Sequence, residues 1–262
     1  GMMTRHTAAD VTVIGLIGER GREVGDFVGQ TLGSEGMRRA AVVAATSDAP
    51  PLVRMRGAYL ATTLAEYFRD QGKNVLLIID SITRFAMSSR DVGLAAGEPP
   101  TSRGYTPSFF AQLPVLLERA GSLQGRGSIT GIYTVLVEGD DLNDPVGDAV
   151  RSIVDGHIVL SRKLANRGHY PAIEVLESIS RVMRDVVDPQ HLELRSKAVE
   201  LLAAYQGAED MIAIGAYSDG SDPQIDQAKR MMPHLRQLLS QEIDSRVAYG
   251  DALQALSALF KA

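Results

Sequence analysis

The chain has 262 residues, a formal net charge of −5 and an apolar fraction of 45%. This is enough for one large folded domain, or for a core with a smaller second domain. The mild acidic excess argues against nucleic-acid binding, which usually needs a basic excess to meet phosphates. The sequence contains no cysteine, which excludes disulfides and thiolate metal sites and favours a reducing, cytoplasmic location. No apolar run approaches the ~20 residues of a membrane span.

Short apolar segments rich in β-branched residues alternate with helical patterns over the first part of the chain. Most of these segments are continuously apolar, which predicts strands covered on both faces, as in a parallel sheet. The predicted strands are residues 11–17, 40–45, 75–79 and 129–137. The predicted helices are residues 22–32, 52–70, 82–94 and 108–120. This alternation is typical of a doubly wound α/β domain.

The pattern changes after the apolar segment 158–160. From about Pro189 onward the apolar residues recur at helical spacing, which predicts helices at 192–205, 224–239 and 247–260. The polar, turn-rich residues 215–223 are predicted to form the tip between two of these helices. Asp188-Pro189 suits a junction, because proline is favoured at a helix start. We therefore expect an α/β domain over residues 1–187 and a helical domain over 188–262.

Asp80 directly follows the buried strand predicted at residues 75–79. A buried strand that ends in aspartate is the Walker B pattern. Ligands of open α/β sheets bind beyond the carboxyl ends of the strands, where a carboxylate can hold Mg²⁺ through its water shell. The alternative for Asp80 is a cap on the following helix.

Glu19 lies between a predicted strand and a predicted helix, in the segment Gly18-Glu19-Arg20-Gly21. The first strand should end at the same edge of the sheet as the Asp80 strand, which would bring the two carboxylates together. A carboxylate one water away from a γ-phosphate can orient and polarise the attacking water. The alternative for Arg20, and for Arg22 and Glu23 beyond it, is a solvated helix start with local ion pairs.

Further motifs follow in a fixed order: Gly97-Glu98-Pro99-Pro100, Arg103-Gly104-Tyr105, Gly139-Asp140-Asp141, His169-Tyr170-Pro171-Ala172-Ile173 and Ser178-Ile179-Ser180-Arg181-Val182-Met183. Each is weak alone, but together with the segments around Glu19 and Asp80 they are specific. Over about residues 1–240 the chain resembles the ATPases of flagellar and virulence type III secretion, relatives of the rotary ATP synthase catalytic subunits. The resemblance implies a RecA-like P-loop NTPase core with a largely parallel sheet and flanking helices, followed by an all-α domain.

The resemblance also implies roles for individual residues around ATP and Mg²⁺. Glu19 matches the catalytic carboxylate that activates the hydrolytic water, and Arg20 matches the adjacent arginine near the phosphates. Asp80 matches the Walker B carboxylate, and Glu23 an acidic residue near the Mg²⁺ water shell. Arg84 matches the arginine that closes the Walker B motif.

Two more roles follow from the resemblance, although spacing alone assigns neither of them. Tyr170 matches the aromatic residue against the adenine ring. Arg181 matches the arginine finger, which reaches the γ-phosphate held by a neighbouring subunit and therefore requires a ring. The family also places a Gly-x-x-x-x-Gly-Lys-Ser/Thr loop upstream of these motifs, and this sequence contains no such motif. We therefore expect that the chain alone does not bind or hydrolyse ATP measurably.

The implied function is to couple ATP hydrolysis to chaperone release, unfolding and export of proteins. The implied partners of the intact protein are a homo-hexamer, a coiled-coil stalk protein, a peripheral stator-type regulator, the export gate and chaperone–substrate complexes, but no nucleic acid. The implied location is cytoplasmic, peripheral to the inner membrane at the export gate. Two alternatives stay open: a non-catalytic or remnant ring subunit, and a hexameric nucleic-acid translocase.

Overall fold

The computed structural model describes residues 4, 7–141, 143–242 and 245–261, which form two compact units, residues 1–154 and 155–262. The strands of the first unit are β1 (Val11–Ile17), β2 (Ala40–Ala45), β3 (Asn74–Asp80), β4 (Gly121–Ser122) and β5 (Ser128–Tyr133). Its helices are α1 (Gly21–Asp26), α2 (Gly33–Met37), α3 (Pro51–Asp70), α4 (Ile82–Ala95), α5 (Pro107–Leu117) and α6 (Pro145–Ile153). A π-helical segment, Phe27–Leu32, lies between α1 and α2.

The sheet of the first unit has the strand order β2-β1-β3-β5-β4. The first four strands are parallel, and only the short β4 runs antiparallel to its neighbour β5. The predicted α/β class is therefore confirmed, and β1 and β2 have the predicted bounds. The strand predicted at 129–137 is too long, because the chain turns at Thr134 to meet the start of α4, where the Ile82 N–H donates to the Thr134 carbonyl at 2.9 Å.

Side chains alternate between the two faces of the central strands, so the sheet is buried on both sides. On one face, Val13 and Ile17 of β1 join β3 side chains in the main core, packed against α3, α4 and α5. On the other face, Ile14 and Leu16 pack with Leu32 in a smaller cluster. The main core includes Phe85 and Phe109, which are fully buried. These two layers hold the carboxyl edge of β1 and β3 rigidly in place.

The second unit contains a two-stranded antiparallel sheet and five helices among its described residues. These elements are β6 (Gly156–Leu160), β7 (Ile173–Ser180), α7 (Arg162–Asn166), α8 (Met183–Val186), α9 (Pro189–Ala213), α10 (Pro223–Leu239) and α11 (Tyr249–Leu259). The predicted C-terminal helical region is confirmed, with α9 longer than predicted. Its core is Leu201, Ala228 and Leu235, with Leu259 and Phe260 packed against them.

Three helices begin at an Asp-Pro pair, and each uses the same local chemistry. The aspartate side chain accepts hydrogen bonds from the first-turn N–H groups, and the proline fits the first helical position. The capping residues are Asp144 for α6, Asp188 for α9 and Asp222 for α10. Among the described helices, none is long and apolar enough to cross a membrane.

Candidate active site

The carboxyl edge of β1 and β3 brings two of the predicted site residues together. In the parallel register Leu16 lies opposite Asp80, and Glu19 follows three residues later. The residues that follow β1 and the end of β2 are joined by two backbone hydrogen bonds. The Gly18 N–H donates to the Ala45 carbonyl at 2.7 Å, and the Ser47 N–H donates to the Glu19 carbonyl at 3.0 Å. These two bonds hold the backbone around Glu19 against the end of β2, and the Glu19 side chain is close enough to Asp80 for the two charges to interact.

The environment of Glu19 favours the protonated form of its carboxyl group more than water does. Partial burial raises the pKa of Glu19, the negative charge of Asp80 raises it further, and a hydrogen bond with Glu23 adds to the effect. The Arg84 guanidinium acts in the opposite direction and lowers this pKa. A raised pKa is typical of a carboxylate that serves as a general base, because it makes the group a better proton acceptor.

Asp80 is held by a residue that the sequence analysis did not single out. The Thr134 hydroxyl donates to Asp80 Oδ1 at 2.6 Å, and the Thr134 N–H donates to the Ile79 carbonyl at 3.1 Å. The sequence placed Thr134 inside a continuous strand, so nothing in the pattern marked it. Ser81, rather than Asp80, caps α4, since its side chain accepts from the Arg84 N–H at 3.3 Å.

Arg84 lies against the backbone of the Glu19 loop, and this contact requires glycine at position 18. Gly18 has φ of +73°, and a Cβ there would lie 2.9 Å from the Arg84 Cβ and 3.1 Å from its Cγ. The stem of Arg84 therefore fills the space beside Gly18. This contact explains how the guanidinium comes close enough to Glu19 to affect its pKa.

Replacing Gly18 by alanine is expected to lower the free energy of unfolding by at least about 1–2 kcal/mol, the cost of a left-handed conformation for a residue with a Cβ. The displaced Arg84 would add to that loss. The matched control is Gly21→Ala, because Gly21 begins α1 and a Cβ there meets nothing within 4 Å. Urea unfolding of both variants checks the prediction, and equal free energies for the two would contradict it.

Arg20 directly precedes α1 and Glu23 lies on its first turn, close to the edge. Arg20 Nη1 is 3.5 Å from Glu23 Oε1, and their side chains are 82% and 51% exposed. Arg22 forms a longer pair with Asp26 at 3.9 Å. This arrangement matches the solvated helix start with local ion pairs. It also leaves both Arg20 and Glu23 accessible to a ligand at the edge.

The remaining predicted residues, Tyr170 and Arg181, lie in the second unit. The Tyr170 carbonyl accepts from the Gln241 N–H at 2.8 Å, and 58% of the residue is exposed. Arg181 directly follows β7, and its N–H donates to the Asp155 carbonyl at 2.8 Å. Both backbones are fixed within the second unit. The roles proposed for their side chains need a ligand or a neighbouring subunit, so they stay predictions.

The residues at the edge fit a divalent cation. Glu19 and Asp80 are two like charges, and after burial the charge of Asp80 is the next cause that raises the pKa of Glu19. A cation near them would relieve that repulsion. Mg²⁺ in nucleotide sites is usually bound through one or two carboxylates, with water and phosphate oxygens as its other ligands. Asp80, oriented by Thr134, can supply such a carboxylate.

Comparison with known proteins gives two family matches that together span almost the whole chain. Residues 1–180 match the nucleotide-binding domain of the ATP synthase alpha/beta family. Residues 187–258 match the C-terminal domain of the type III secretion ATPase EscN.

One curated relative and two solved structures of a second protein illustrate the similarity. The flagellum-specific ATP synthase of Bacillus subtilis (strain 168) is 54% identical over 259 residues, which cover 99% of this chain and 59% of that protein. The assembled ATPase EscN of enteropathogenic E. coli matches with a TM-score of 0.92 and 48% identity, over 98% of this chain and 62% of that chain. EscN in complex with its central stalk EscO matches with a TM-score of 0.89 and 46% identity, over 98% of this chain and 62% of that chain.

This chain therefore spans about three-fifths of the length of the curated relatives that it matches. Within that length the family match, the relatives and the solved structures all agree. The chain belongs to the ATP synthase alpha/beta family, in the branch that contains the flagellar and type III secretion ATPases.

Proposed function

We propose that the intact protein is the ATPase of a bacterial type III protein export apparatus, flagellar or injectisome. It couples ATP hydrolysis to chaperone release, unfolding and export of substrates. The observation that carries this proposal is the interacting pair Glu19 and Asp80, placed at one edge of a parallel sheet by the β1–β3 register. The family match supplies the reaction class.

In this mechanism the chain's own residues perform distinct tasks at the sheet edge. Glu19 accepts a proton from the attacking water and orients it. Asp80, held by Thr134, would hold Mg²⁺ through its water shell, and Glu23 would be an acidic residue near that shell. A bound Mg²⁺ supplies charge neutralisation of the β- and γ-phosphate oxygens. Arg20 and Arg84 place positive charge where the phosphates bind.

Two further tasks are proposed for the second unit. The exposed ring of Tyr170 stacks against adenine. Arg181 acts as an arginine finger on the nucleotide bound by the next subunit, where it stabilises charge that develops in the transition state. This role requires the homo-hexamer, and the assembled form of EscN supports such an assembly.

The direct test is ATP turnover by the intact protein, comparing wild type with Asp80→Asn. The substitution removes the negative charge that orients the metal's water shell, and it is expected to lower kcat/KM about 10–100-fold. Asp91→Asn is the control, because Asp91 is an exposed aspartate on α4. A wild-type protein without turnover would contradict the proposed ATPase and support a non-catalytic ring subunit.

We also propose that the loop between α9 and α10 meets the stalk, as supported by the EscN–EscO complex. The loop has a built structure: the Tyr217 hydroxyl donates to Asp226 Oδ1 at 2.9 Å, and the Gly220 N–H donates to Asp226 Oδ2 at 2.9 Å. Asp219 lies on this loop with 74% of its side chain exposed, paired with Lys229. The hydrogen-bonded loop thus leaves the carboxylate of Asp219, already paired with Lys229, exposed to a basic partner.

Asp219→Lys is expected to weaken binding of the stalk protein several-fold, mainly by slowing association, because exposed interface charges act on encounter more than on the bound state. Glu200→Lys makes the same charge change at an exposed position of α9 and should bind normally. Surface plasmon resonance at two salt concentrations measures both. Tight binding by Asp219→Lys with an unchanged association rate would refute the contact.

The other proposed partners are a peripheral stator-type regulator, the export gate and chaperone–substrate complexes, at the cytoplasmic face of the inner membrane. They are supported by the family alone. Co-purification of the intact protein with inner membranes tests this location, and recovery only in the soluble fraction would contradict it.

A further inference from the structure

The helix α3 lies on the sheet along a seam of small residues. A Cβ added to Gly15 of β1 would lie 3.1 Å from the Ala61 Cβ. A Cβ added to Gly57 would lie 3.0 Å from both the Ala45 Cβ of β2 and the Ile17 Cδ1 of β1. The helix therefore runs antiparallel to β1, over the groove between β1 and β2, with Ala61 above Gly15 and Gly57 above Ile17.

The contacts of this seam determine how far along β1 Arg54 lies. The four residues from Ala61 to Gly57 advance about 6 Å along a helix, and the two residues from Gly15 to Ile17 advance about 6.6 Å along a strand. Arg54 lies three residues, about 4.5 Å, further along the helix on the same face as Gly57. That step is one to two strand residues past Ile17 and brings Arg54 level with Gly18 and Glu19.

Arg54 lacks the anionic partner that the half-buried Arg69 and Arg119 have. Its Nε is buried without a hydrogen-bond partner, and no ion pair of Arg54 exists among the described residues. In contrast, Arg119 Nε donates to Glu66 Oε1 at 2.9 Å, and Arg69 Nη2 lies 3.0 Å from Asp70. A buried donor without an acceptor is costly, so its presence points to an acceptor that binds there.

Within the described residues, Arg84 is the only other residue with such an orphan nitrogen. Arg84 packs on Gly18 from α4, and Arg54 stands above the same turn from α3. The two arginines therefore flank the loop of the catalytic carboxylate from two different helices. Two guanidinium groups, each with a buried Nε that lacks a hydrogen-bond partner, match a multivalent anion with several acceptor oxygens, such as phosphate.

We propose that Arg54 binds the phosphate group at the Glu19 loop, together with Arg84, during hydrolysis. This inference rests on the proposed ATPase function, and it adds a residue outside the recognised motifs. The guanidinium donates to phosphate oxygens as negative charge shifts during transfer, and it retains the product phosphate until release.

The test uses the intact protein and two substitutions, Arg54→Met and Arg54→Lys. Removing the donor is expected to lower kcat about 10²-fold, as for other donors to developing oxyanions, with a smaller change in the KM for ATP. The inhibition constant of inorganic phosphate should rise about 10-fold, the effect of losing a charge-assisted hydrogen bond. Arg54→Lys keeps the charge and should recover part of both losses. Arg56→Met, an exposed arginine on the same helix, is the matched control.

Each outcome decides the proposal. A lowered kcat with unchanged phosphate inhibition would show that Arg54 supports the fold or a subunit contact instead, and it would overturn the inference. If Arg54→Met does not fold, Arg54→Lys decides, since phosphate inhibition equal to wild type would also overturn it. If wild type itself lacks turnover, the ATPase proposal fails separately. Calorimetric titration of inorganic phosphate into wild type and Arg54→Met then tests the binding site, and equal affinity would overturn it.

Discussion

Replacing Glu19 by glutamine is expected to lower the kcat of the intact ATPase about 10²–10⁴-fold, the usual contribution of a positioned general base. Glutamine has nearly the same size and can still orient a water molecule, but it cannot accept the proton. The KM for ATP should change little, because Glu19 acts on the water rather than on the bound nucleotide. Steady-state turnover over a range of ATP concentrations separates the two constants.

The control is Glu35→Gln, which removes an exposed carboxylate of α2 in the same unit. It should retain wild-type turnover. A Glu19→Gln enzyme with wild-type kcat would refute the role of Glu19 and would leave the two-carboxylate edge without its proposed chemistry.

The pH dependence of the stability of Glu19→Gln, compared with wild type, gives a second measurement. The folded-state pKa of Glu19 is raised above its ordinary value. As the solution is acidified, Glu19 therefore becomes protonated, and stops acting as a base, at a higher pH than an ordinary glutamate would. The folded protein binds this proton more tightly than the unfolded chain does. Glu19 therefore lowers the free energy of unfolding by an amount that grows as pH rises through the raised pKa. At pH 7 the glutamine variant should therefore unfold at higher urea concentration than wild type, and the difference should vanish at a pH below the ordinary glutamate pKa.

Replacing Arg181 by alanine is expected to lower kcat about 10³–10⁵-fold, the range known for arginine fingers. Because the finger acts on the neighbouring subunit's nucleotide, the loss should be complemented between chains. Mixed hexamers of Arg181→Ala and Glu19→Gln subunits contain interfaces in which an intact finger meets an intact carboxylate. Mixing the two inactive proteins should therefore restore measurable turnover.

Arg184→Ala serves as the control for Arg181, since Arg184 is an exposed arginine three residues later on α8. Mixed rings that stay inactive, although both subunits assemble, would mean that each active site takes Arg181 and Glu19 from the same subunit, which would exclude a finger in trans.

The sequence predicted well the elements whose residue types are compatible with only one kind of local structure. The continuous apolar run of β1 fits a strand buried in a parallel sheet, and β2, a partly buried edge strand, also has the predicted bounds. The proximity of Glu19 and Asp80 could also be predicted, because it depends only on two neighbouring parallel strands ending at one edge. The Asp188-Pro189 start of α9 was recognisable from local capping chemistry alone.

Other features depend on contacts that a linear pattern does not encode. β7 was missed because its sheet has only two strands, and Glu174 and Glu177 interrupt the apolar pattern. Thr134 becomes a partner of Asp80 only because the chain leaves the strand early. Arg54 is one of several arginines in the sequence, and its position at the site follows from the seating of α3 on the sheet, which depends on small residues far apart in the chain.

The seam of Gly15, Gly57 and Ala61 has a consequence for protein engineering. A common route to thermostability replaces glycines inside helices by alanine, which improves helix formation and restricts the unfolded chain. At Gly57 the added methyl group would press on β1 and β2 together, so α3 would have to rise from the sheet. Arg54 would move with the helix. A glycine-to-alanine substitution that usually stabilises a helix would therefore, at Gly57, shift a residue proposed to bind phosphate.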